Sequence, residues 1–393
     1  MPKLETLASL TVGHVGSMAA EYRPSGIPFL RSQNVKPHRI DLSGVKYIDA
    51  DFHDRLKKSA LMPGDVVVVR TGKPGDAAVV PAGIGKLNCS DLVIIRPNAD
   101  LDPHFLSYFI NGVARGFISS RLVGAVQQHF NIGAARELEV PNLSLVEQRR
   151  ISSALKALDD KVAANDHISK ISLCLADANY LSAQSLRVSR TVLLRDAAHW
   201  HSGGTPKTSE SGYWGGDIPW ISAASLKSSW VDHSDRNVTR EGVDNGTKLV
   251  QRNAVLFVVR GMSLKTEFRV GMSQREVAFG QDCKALVARD GIDPYYLFYS
   301  IRSKAEHILT LVDEAGHGTG RLVTDRLEKL EIPLLAEPVQ GELVAKLSLL
   351  SELAAARQRE SRKLVELRDT LLPKLMSGEL RIKDAERKVE DAT

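Results

Sequence analysis

The amino-acid sequence predicts an α+β protein built by internal duplication: two tandem globular α/β domains separated by two long helices that pair as an antiparallel coiled coil. Two observations lead to this fold class. A long stretch without proline or glycine, from Leu145 to Leu186, has a second, related copy near the end of the chain. Short landmark sequences also recur at a nearly constant spacing. A duplication of this kind implies a pseudo-two-fold relation between the halves.

Each long helix is predicted from an apolar stripe. In the first stretch, four apolar residues are spaced by four, three and four positions and so share one helix face: Ile151, Leu155, Leu158 and Val162. The same steps recur 192 residues later: Leu343, Leu347, Leu350 and Ala354. The first helix would extend over roughly 60 Å, which exceeds one compact domain. We therefore expect these stripes to pair the two helices.

The globular segments repeat as well. Three pairs of landmarks lie 191, 191 and 192 residues apart: Gly26–Lys36 with Asp217–Lys227, Leu101–Leu106 with Ile292–Leu297, and Leu138–Pro141 with Leu330–Pro333. Within the second pair, Asp102 and Asp293 each precede a proline, which is typical of a helix N-cap followed by proline at the first helical position. Each copy is therefore expected to place a helix after a set of short strands.

These landmarks set the expected domain limits. The divisions are a first globular domain at 1–143, a central helix at 144–186, a second globular domain at 187–335, a second helix at 336–376 and a charged tail at 377–393. The tail is rich in charge and poor in apolar residues, so we expect it to be mobile.

Composition limits the function classes. The 393 residues carry a net charge of +5 with a pI of about 9.0, which permits an anionic partner such as nucleic acid. The apolar runs are only strand-sized, and the N-terminus lacks a secretory pattern, so we expect a cytoplasmic protein with no membrane partner. Cys89, Cys174 and Cys283 lack metal-type spacing and are expected to be small buried residues in a reducing compartment.

Three sequence patterns imitate catalytic motifs. Asp293–Tyr296 resembles the acidic-Pro-Pro-aromatic motif of adenine methyltransferases but lacks the second proline. Asp282 and Lys284 match the end of a nuclease motif, but their counterpart in the first copy has no lysine. The glycine-rich Gly316–Gly320 does not link a strand to a helix, as a phosphate-binding loop would. We therefore predict no catalytic residues, no metal site and no enzymatic activity for this chain.

Polar loops that follow the strands are the candidate site. Arg, Gln, Asn and Ser can contact base edges, and basic glycine-containing loops suit phosphates. In the first copy the candidate DNA-binding residues are Arg31, Ser32, Gln33, Asn34, Arg70, Thr71, Lys73, Gln127, Gln128 and His129. In the second copy they are Thr205, Lys207, Tyr213, Trp214, Trp220, Ser222, Ser225, Lys227, Arg260, Lys265, His317, Thr319 and Arg321. Equivalent positions are polar in both copies but differ in identity, as expected if two domains bind two different sequences.

Three stretches resemble one family. Glu147–Asn165 resembles the central conserved region of the specificity subunits of type I restriction–modification systems. Gly203–Trp220 is similar to the start of one of their target-recognition domains, and Leu367–Leu380 to their C-terminal end. With the duplication, the resemblance covers essentially the whole chain. The first domain departs from it, since Thr11–Gly16 stands where the second has Gly203–Pro206.

The resemblance implies a non-catalytic DNA-specificity subunit. Each recognition domain would bind one half of a bipartite, asymmetric site in double-stranded DNA, and the helices would set the spacing. Two methyltransferase subunits and two motor-nuclease subunits would be its partners. S-adenosylmethionine, ATP and magnesium would be bound by those partners, with no cofactor on this chain. The alternatives are a single-chain nuclease or adenine methyltransferase, and a coiled-coil adaptor without a role on DNA.

Overall fold

The computed structural model describes residues 1–122, 129–185, 188–315 and 318–392. The chain divides into two compact units, Met1–Val162 with Arg362–Thr393 (unit 1) and Ala163–Ser361 (unit 2). Each unit holds one globular α/β region and part of both long helices. The limits expected from the sequence for the individual domains remain a prediction.

The first part of the chain alternates short strands and helices before the first long helix. In order these are α1 (Leu4–Leu7), β1 (Ala8–Val12), β2 (Ile27–Leu30), β3 (Val35–Lys36), β4 (Arg39–Ile40), β5 (Lys46–Ile48), α2 (Ala50–Arg55), β6 (Ala60–Leu61), β7 (Val66–Val69), β8 (Ala77–Val79), β9 (Leu87–Cys89), β10 (Leu92–Pro97), α3 (Pro103–Asn111), α4 (Arg115–Ser120), α5 (Ile132–Arg136) and α6 (Leu145–Ala183).

The second part repeats this sequence of elements with additions. In order these are β11 (Val188–Leu193), α7 (Leu194–Ala197), β12 (Ala198–Ser202), β13 (Trp214–Ile221), β14 (Trp230–Val231), β15 (Asn237–Val238), α8 (Arg240–Asp244), β16 (Lys248–Val250), β17 (Val255–Val258), β18 (Arg260–Gly261), β19 (Val270–Ser273), β20 (Val277–Phe279), β21 (Cys283–Ala288), α9 (Pro294–Arg302), α10 (Ala305–Thr310), β22 (Val312–Ala315), β23 (Thr319–Leu322), α11 (Thr324–Leu327), β24 (Glu331–Leu335), α12 (Val339–Met376) and α13 (Ile382–Glu390).

The sheet topology confirms the duplication. Unit 1 has an antiparallel sheet in the order β1-β10-β7-β8, and unit 2 has the corresponding strands in the order β12-β21-β17-β19, extended by β14. A second sheet has the order β5-β2-β9-β6 in unit 1 and β15-β13-β20-β16 in unit 2. Its two central strands are parallel in both units. One frame is therefore used twice, with different side chains in its loops.

The expected helix starts are confirmed. The Asp102 carboxylate accepts a hydrogen bond from the Phe105 N–H at 2.8 Å, with Pro103 at the first helical position. The Asp293 carboxylate accepts bonds from the amides of Tyr295 and Tyr296. Capping of this kind satisfies donors that the first helical turn leaves unpaired. The motif at Asp293 is therefore a helix cap.

In unit 1 the long helices pack through their apolar stripes. Ile151, Leu155 and Leu158 are buried in the unit 1 core together with Leu371 and Leu375 of α12, and Val162 packs at its edge. At the same contact, Arg368 forms an ion pair with Asp159 at 2.5 Å. The first stripe therefore packs against the C-terminal part of α12.

In unit 2 the second stripe has an equivalent setting. Leu343, Leu347 and Ala354 are buried with Ala176 and Tyr180 of α6, while Leu350 packs at the edge of this core. Two hydrogen bonds fix the direction of the pair: Ser361 donates to Asp166, and Ser169 donates to the Ala354 carbonyl. Higher numbers on one helix meet lower numbers on the other, so the paired segments are antiparallel, as predicted.

Two expectations were wrong. The tail contains the helix α13, whose Ala385 and Val389 are buried in the unit 1 core, and Glu386 accepts hydrogen bonds from Arg150. Its few apolar residues lie on one face, so a low apolar content still gives a docked helix. Cys174 is exposed, unlike the buried Cys89 and Cys283.

Candidate nucleic-acid interface

A cleft of about 590 Å³ in unit 1, here called cleft 1, collects residues from three separate loops. It is lined by Arg31, Ser32, Gln33, Val35, Lys36, Thr71, Gly72, Lys73, Asp76 and Ser90. Five of these were candidates from the sequence. Arg31, Lys36 and Lys73 supply positive charge, while Asp76 is engaged at 2.7 Å by Arg115. The cleft therefore combines cations with uncharged polar groups, as a surface for nucleic acid requires.

Asn34 is not part of this polar surface. Its side chain is only 1% exposed, accepts a hydrogen bond from the Arg31 N–H at 3.1 Å and donates one to the Asp41 carbonyl at 3.0 Å. These bonds close the 3-10 turn Ser32–Asn34 that follows β2. The structure thus corrects its expected role: Asn34 fixes the turn that presents Arg31, Ser32 and Gln33.

Arg70 is also held within the protein. Its guanidinium pairs with Asp91 at 2.5 Å, and only 19% of the side chain is exposed. The next residue, Thr71, bonds through its hydroxyl to His129 Nδ1 at 2.8 Å, so His129 supports the edge of cleft 1. Gly72, at φ +92°, adopts a backbone conformation that favours glycine and allows Lys73 to extend outward.

A second cleft, of about 560 Å³, lies in unit 2 and is here called cleft 2. It is lined by Val259, Arg260, Gln281, Lys284, Arg321, Leu322, Val323, Thr324 and Asp325. Arg260 of β18 lies directly opposite Arg321 of β23 in the ladder. Like charges at directly opposed positions repel each other, and a bound anion would relieve that repulsion. The geometry therefore suits phosphate.

The predicted residues of unit 2 do not all meet in cleft 2. Arg260 and Arg321 line it, while Lys265 and the half-buried Thr319 lie in flanking segments. Sequence reasoning missed Gln281 as a lining residue and considered Lys284 only for a nuclease motif. Lys284 Nζ donates to the Ser202 hydroxyl at 2.9 Å. In cleft 1 the missed residue is Lys36, whose counterpart in the second copy, Lys227, was a candidate, so direct comparison of the halves would have found it.

A separate polar surface in unit 2 surrounds the loop that contains Gly203 and Gly204. Thr205 and Lys207 are exposed, and Tyr213 is half-buried. The indole N–H of Trp214 donates to the Lys207 carbonyl, and that of Trp220 donates to the Gly204 carbonyl. Trp220 is only 8% exposed. It therefore fixes the loop instead of presenting its face to a ligand, contrary to the role expected for it.

The remaining predicted residues fall into two groups. Ser222 and Ser225 hydrogen-bond to each other at the end of β13, next to the exposed Lys227. Gln127, Gln128 and His317 lie outside the described residues. Within the ranges that the structure covers, no set of three or more His, Cys, Asp or Glu side chains is arranged to hold a metal ion. No helix in those ranges has the length and apolarity to cross a bilayer.

Comparison with known proteins relates this chain to restriction–modification systems. Residues 189–365 match the model of the type I restriction modification DNA specificity domain. The chain is 29% identical over 143 residues to the EcoR124I/EcoR124II specificity subunit of Escherichia coli, covering 36% of this chain and 35% of that protein. It is 23% identical over 172 residues to the MjaIX specificity subunit of Methanocaldococcus jannaschii, covering 43% and 39%. These alignments therefore span little more than a third of either relative.

A solved structure matches over nearly the whole length. The S subunit of the type I restriction–modification system from M. genitalium superposes with a TM-score of 0.61, covering 95% of each chain at 16% identity. At this identity the match concerns the fold. Two globular domains and two long helices thus occur together in a solved protein, which confirms the predicted fold class.

Proposed function

We propose that this chain belongs to the family of type I restriction–modification specificity subunits and that it selects the DNA sequence on which partner enzymes act. Each unit contacts one half of a bipartite, asymmetric site. The chain itself carries out no chemistry, and S-adenosylmethionine, ATP and magnesium are bound by the partners. In the complex, DNA is the substrate, and this chain determines which DNA sequence is bound.

The observation that carries the proposal is that each of the two duplicated units has a cleft lined by cations. Clefts 1 and 2 each contain three cations and several neutral polar groups. One loop of each cleft follows a corresponding strand, β7 in unit 1 and β17 in unit 2, whereas the other lining residues come from different parts of the frame. The shared charge suits the phosphates common to all DNA, whereas the differing polar groups suit two different half-sites.

The long helices supply a docking surface for the methyltransferase partner. In unit 2, Ile171 and Leu175 of α6 are 51% and 49% exposed, and Leu349 of α12 is 71% exposed. Large apolar side chains on helices that already have a buried stripe are expected to be covered by another protein. Two methyltransferase subunits would bind here and two motor-nuclease subunits would join them, while the helices set the distance between half-sites.

The test is co-expression of this chain with a type I methyltransferase subunit in a host that lacks other adenine methylation. Single-molecule sequencing of the host DNA would then give the methylated sequence. We expect a bipartite motif with an unread gap that disappears when this chain is omitted. Replacing residues 1–143 by those of a relative should change one half of the motif only.

Two outcomes would overturn the proposal. A stable, active complex whose methylation pattern does not depend on this chain would remove the specificity role. Cleavage or methylation by the purified chain alone would show that it is an enzyme. The matched control is a chain with Lys329→Gln, an exposed residue outside both clefts, which should leave the motif unchanged.

A further inference from the structure

Each unit holds a cation against a pair of aromatic rings, and neither cation was among the candidate residues from the sequence. In unit 2 the Arg236 guanidinium lies 3.6 Å from the centre of the Trp214 ring and 5.4 Å from that of Trp220. The two rings meet edge to face, with centres 5.4 Å apart and planes at 82°. The inner ring, Trp220, is buried, while the cation is exposed.

Unit 1 contains the same arrangement with different residues. The Lys46 ammonium lies 6.0 Å from the centre of the Tyr22 ring, and Tyr22 meets Phe29 edge to face at 6.3 Å. Phe29 is fully buried, and Lys46 is exposed. We call each such group of two rings and one cation an aromatic seat.

The two seats occupy equivalent places in the duplicated sheet. Lys46 of β5 lies opposite Phe29 of β2. In unit 2 the backbone N–H of Trp220 donates to the backbone carbonyl of Arg236 at 2.9 Å, so Arg236 lies opposite Trp220 as Lys46 lies opposite Phe29. The outer rings, Tyr22 and Trp214, are one position out of register: the offset of 191 residues aligns Tyr22 with Tyr213, the residue before Trp214. The arrangement is thus retained although each of its residues differs.

Both seats adjoin the clefts. In unit 1, Arg31 of cleft 1 donates to the Gly44 carbonyl at 2.8 Å, two residues before Lys46. In unit 2, Gly280 precedes Gln281 of cleft 2, and a Cβ on Gly280 would lie 2.9 Å from the Trp220 ring. The inner ring therefore lies directly against the backbone that leads into the cleft.

We propose that Lys46 and Arg236 are phosphate anchors, one for each half-site, whose aromatic seats hold the cation in position before DNA binds. This inference rests on the proposed function. A ring beneath a cation restricts its motion without neutralising its charge, so less freedom is lost on binding. Recognition of a base by Lys46 and Arg236 fits the observations less well. The two side chains share a positive charge, but their hydrogen-bonding geometries differ. Lysine offers a point charge and arginine a planar fork.

The test uses the chain in complex with its methyltransferase subunit and two duplexes, one with the methylated motif and one scrambled. The variants are Lys46→Gln and Arg236→Gln, and affinity is measured over a range of salt concentrations. Loss of one phosphate contact should lower the slope of log affinity against log salt by about 0.9, which is about eightfold weaker binding at 0.1 M salt. Both duplexes should be affected equally.

Further variants distinguish the contribution of the positive charge from that of the aromatic seat. Arg236→Lys should keep the wild-type slope. Trp214→Leu should weaken binding about two- to fivefold while leaving the slope unchanged, since the charge remains but is no longer held. Lys329→Gln is the matched control and should change neither quantity. Thermal melting of each variant checks that the fold is retained.

An unchanged slope in both glutamine variants, or altered preference at one base pair with an unchanged slope, would overturn the anchor role. In either case a wild-type complex that still distinguishes the two duplexes would leave the proposed function standing. If the wild-type complex does not distinguish them, the proposed function itself fails.

Discussion

Two arginines near the end of the same buried strand of the frame should respond to the same substitution with opposite effects on stability. Arg70 directly follows β7, and Arg260 lies two residues after the end of the corresponding strand β17, but their surroundings differ. Arg70 is paired with Asp91 and is mostly buried. Arg260 is exposed and lies opposite Arg321, with Lys284 in the same cleft, and Asp313 faces Arg321 from the next strand.

The expected magnitudes follow from these contacts. Arg70→Gln removes a partly buried ion pair and its charged hydrogen bond, which should lower the free energy of unfolding of unit 1 by about 1–2 kcal/mol. Arg260→Gln removes one of two directly opposed like charges, which should raise the free energy of unfolding of unit 2 by about 0.2–1 kcal/mol. The effects on DNA binding should be reversed. Arg260→Gln should lower the salt slope by about 0.9, whereas Arg70→Gln should leave it unchanged, because Asp91 already neutralises Arg70.

Separate probes can follow the two units. All four tryptophans, Trp200, Trp214, Trp220 and Trp230, lie in unit 2, so fluorescence during urea unfolding reports on that unit. Hydrogen exchange of the β7 amides reports on unit 1. Binding is measured with the methyltransferase complex. The reasoning is refuted if Arg260→Gln destabilises unit 2, or if Arg70→Gln lowers the salt slope as much as Arg260→Gln does.

Three further predictions concern the frame. Burial lowers the pKa of His38 to about 4, so the folded chain binds fewer protons than the unfolded chain between pH 6.5 and 4. Stability should therefore fall by about 1–3 kcal/mol as the pH decreases through this window, and urea unfolding of a His38→Asn variant should lack that part of the decrease. Leu155→Ala should lower the free energy of unfolding of unit 1 by about 2–5 kcal/mol, measured by hydrogen exchange, because Leu155 is fully buried. Lys156→Ala, a substitution of the exposed neighbouring residue, should change it by less than about 0.5 kcal/mol. Leu175→Glu should reduce co-purification of the methyltransferase subunit while tryptophan fluorescence shows unchanged unfolding, and equal co-purification would contradict the docking surface.

The sequence was sufficient for the frame because the frame depends on local and periodic patterns. The four-three-four steps predicted the long helices, the constant offset predicted the duplication, and the Asp-Pro pairs predicted the helix starts. Each of these patterns is visible within about a dozen residues or by direct comparison of the two halves. The helix α13 escaped prediction because its two buried residues, Ala385 and Val389, are few among many charges.

The roles of individual polar residues depended on contacts between distant parts of the chain. Arg70 was expected to contact phosphate, but its partner Asp91 lies 21 residues away and is not recognisable from a motif. Asn34 was expected to contact bases, but its side-chain amide is hydrogen-bonded to the backbone of Arg31 and of Asp41. The aromatic seats escaped for a related reason. Alignment of the halves pairs Tyr22 with Tyr213, so Trp214, although it was a candidate residue, was not recognised as the equivalent of Tyr22.

The placement of the candidate residues explains how the two halves could diverge in specificity on one frame. Arg31 directly follows Leu30, the last residue of β2, and Thr71 lies two residues after the last buried valine of β7. A side chain at such a position can change without leaving a cavity, because the core ends one or two residues earlier. The residues that shape the loops are different: Asn34 closes a turn from inside, and Trp220 holds the Gly204 carbonyl. Substitutions at the presented positions should therefore alter DNA recognition at little cost in stability, whereas substitutions at the shaping positions should damage both together.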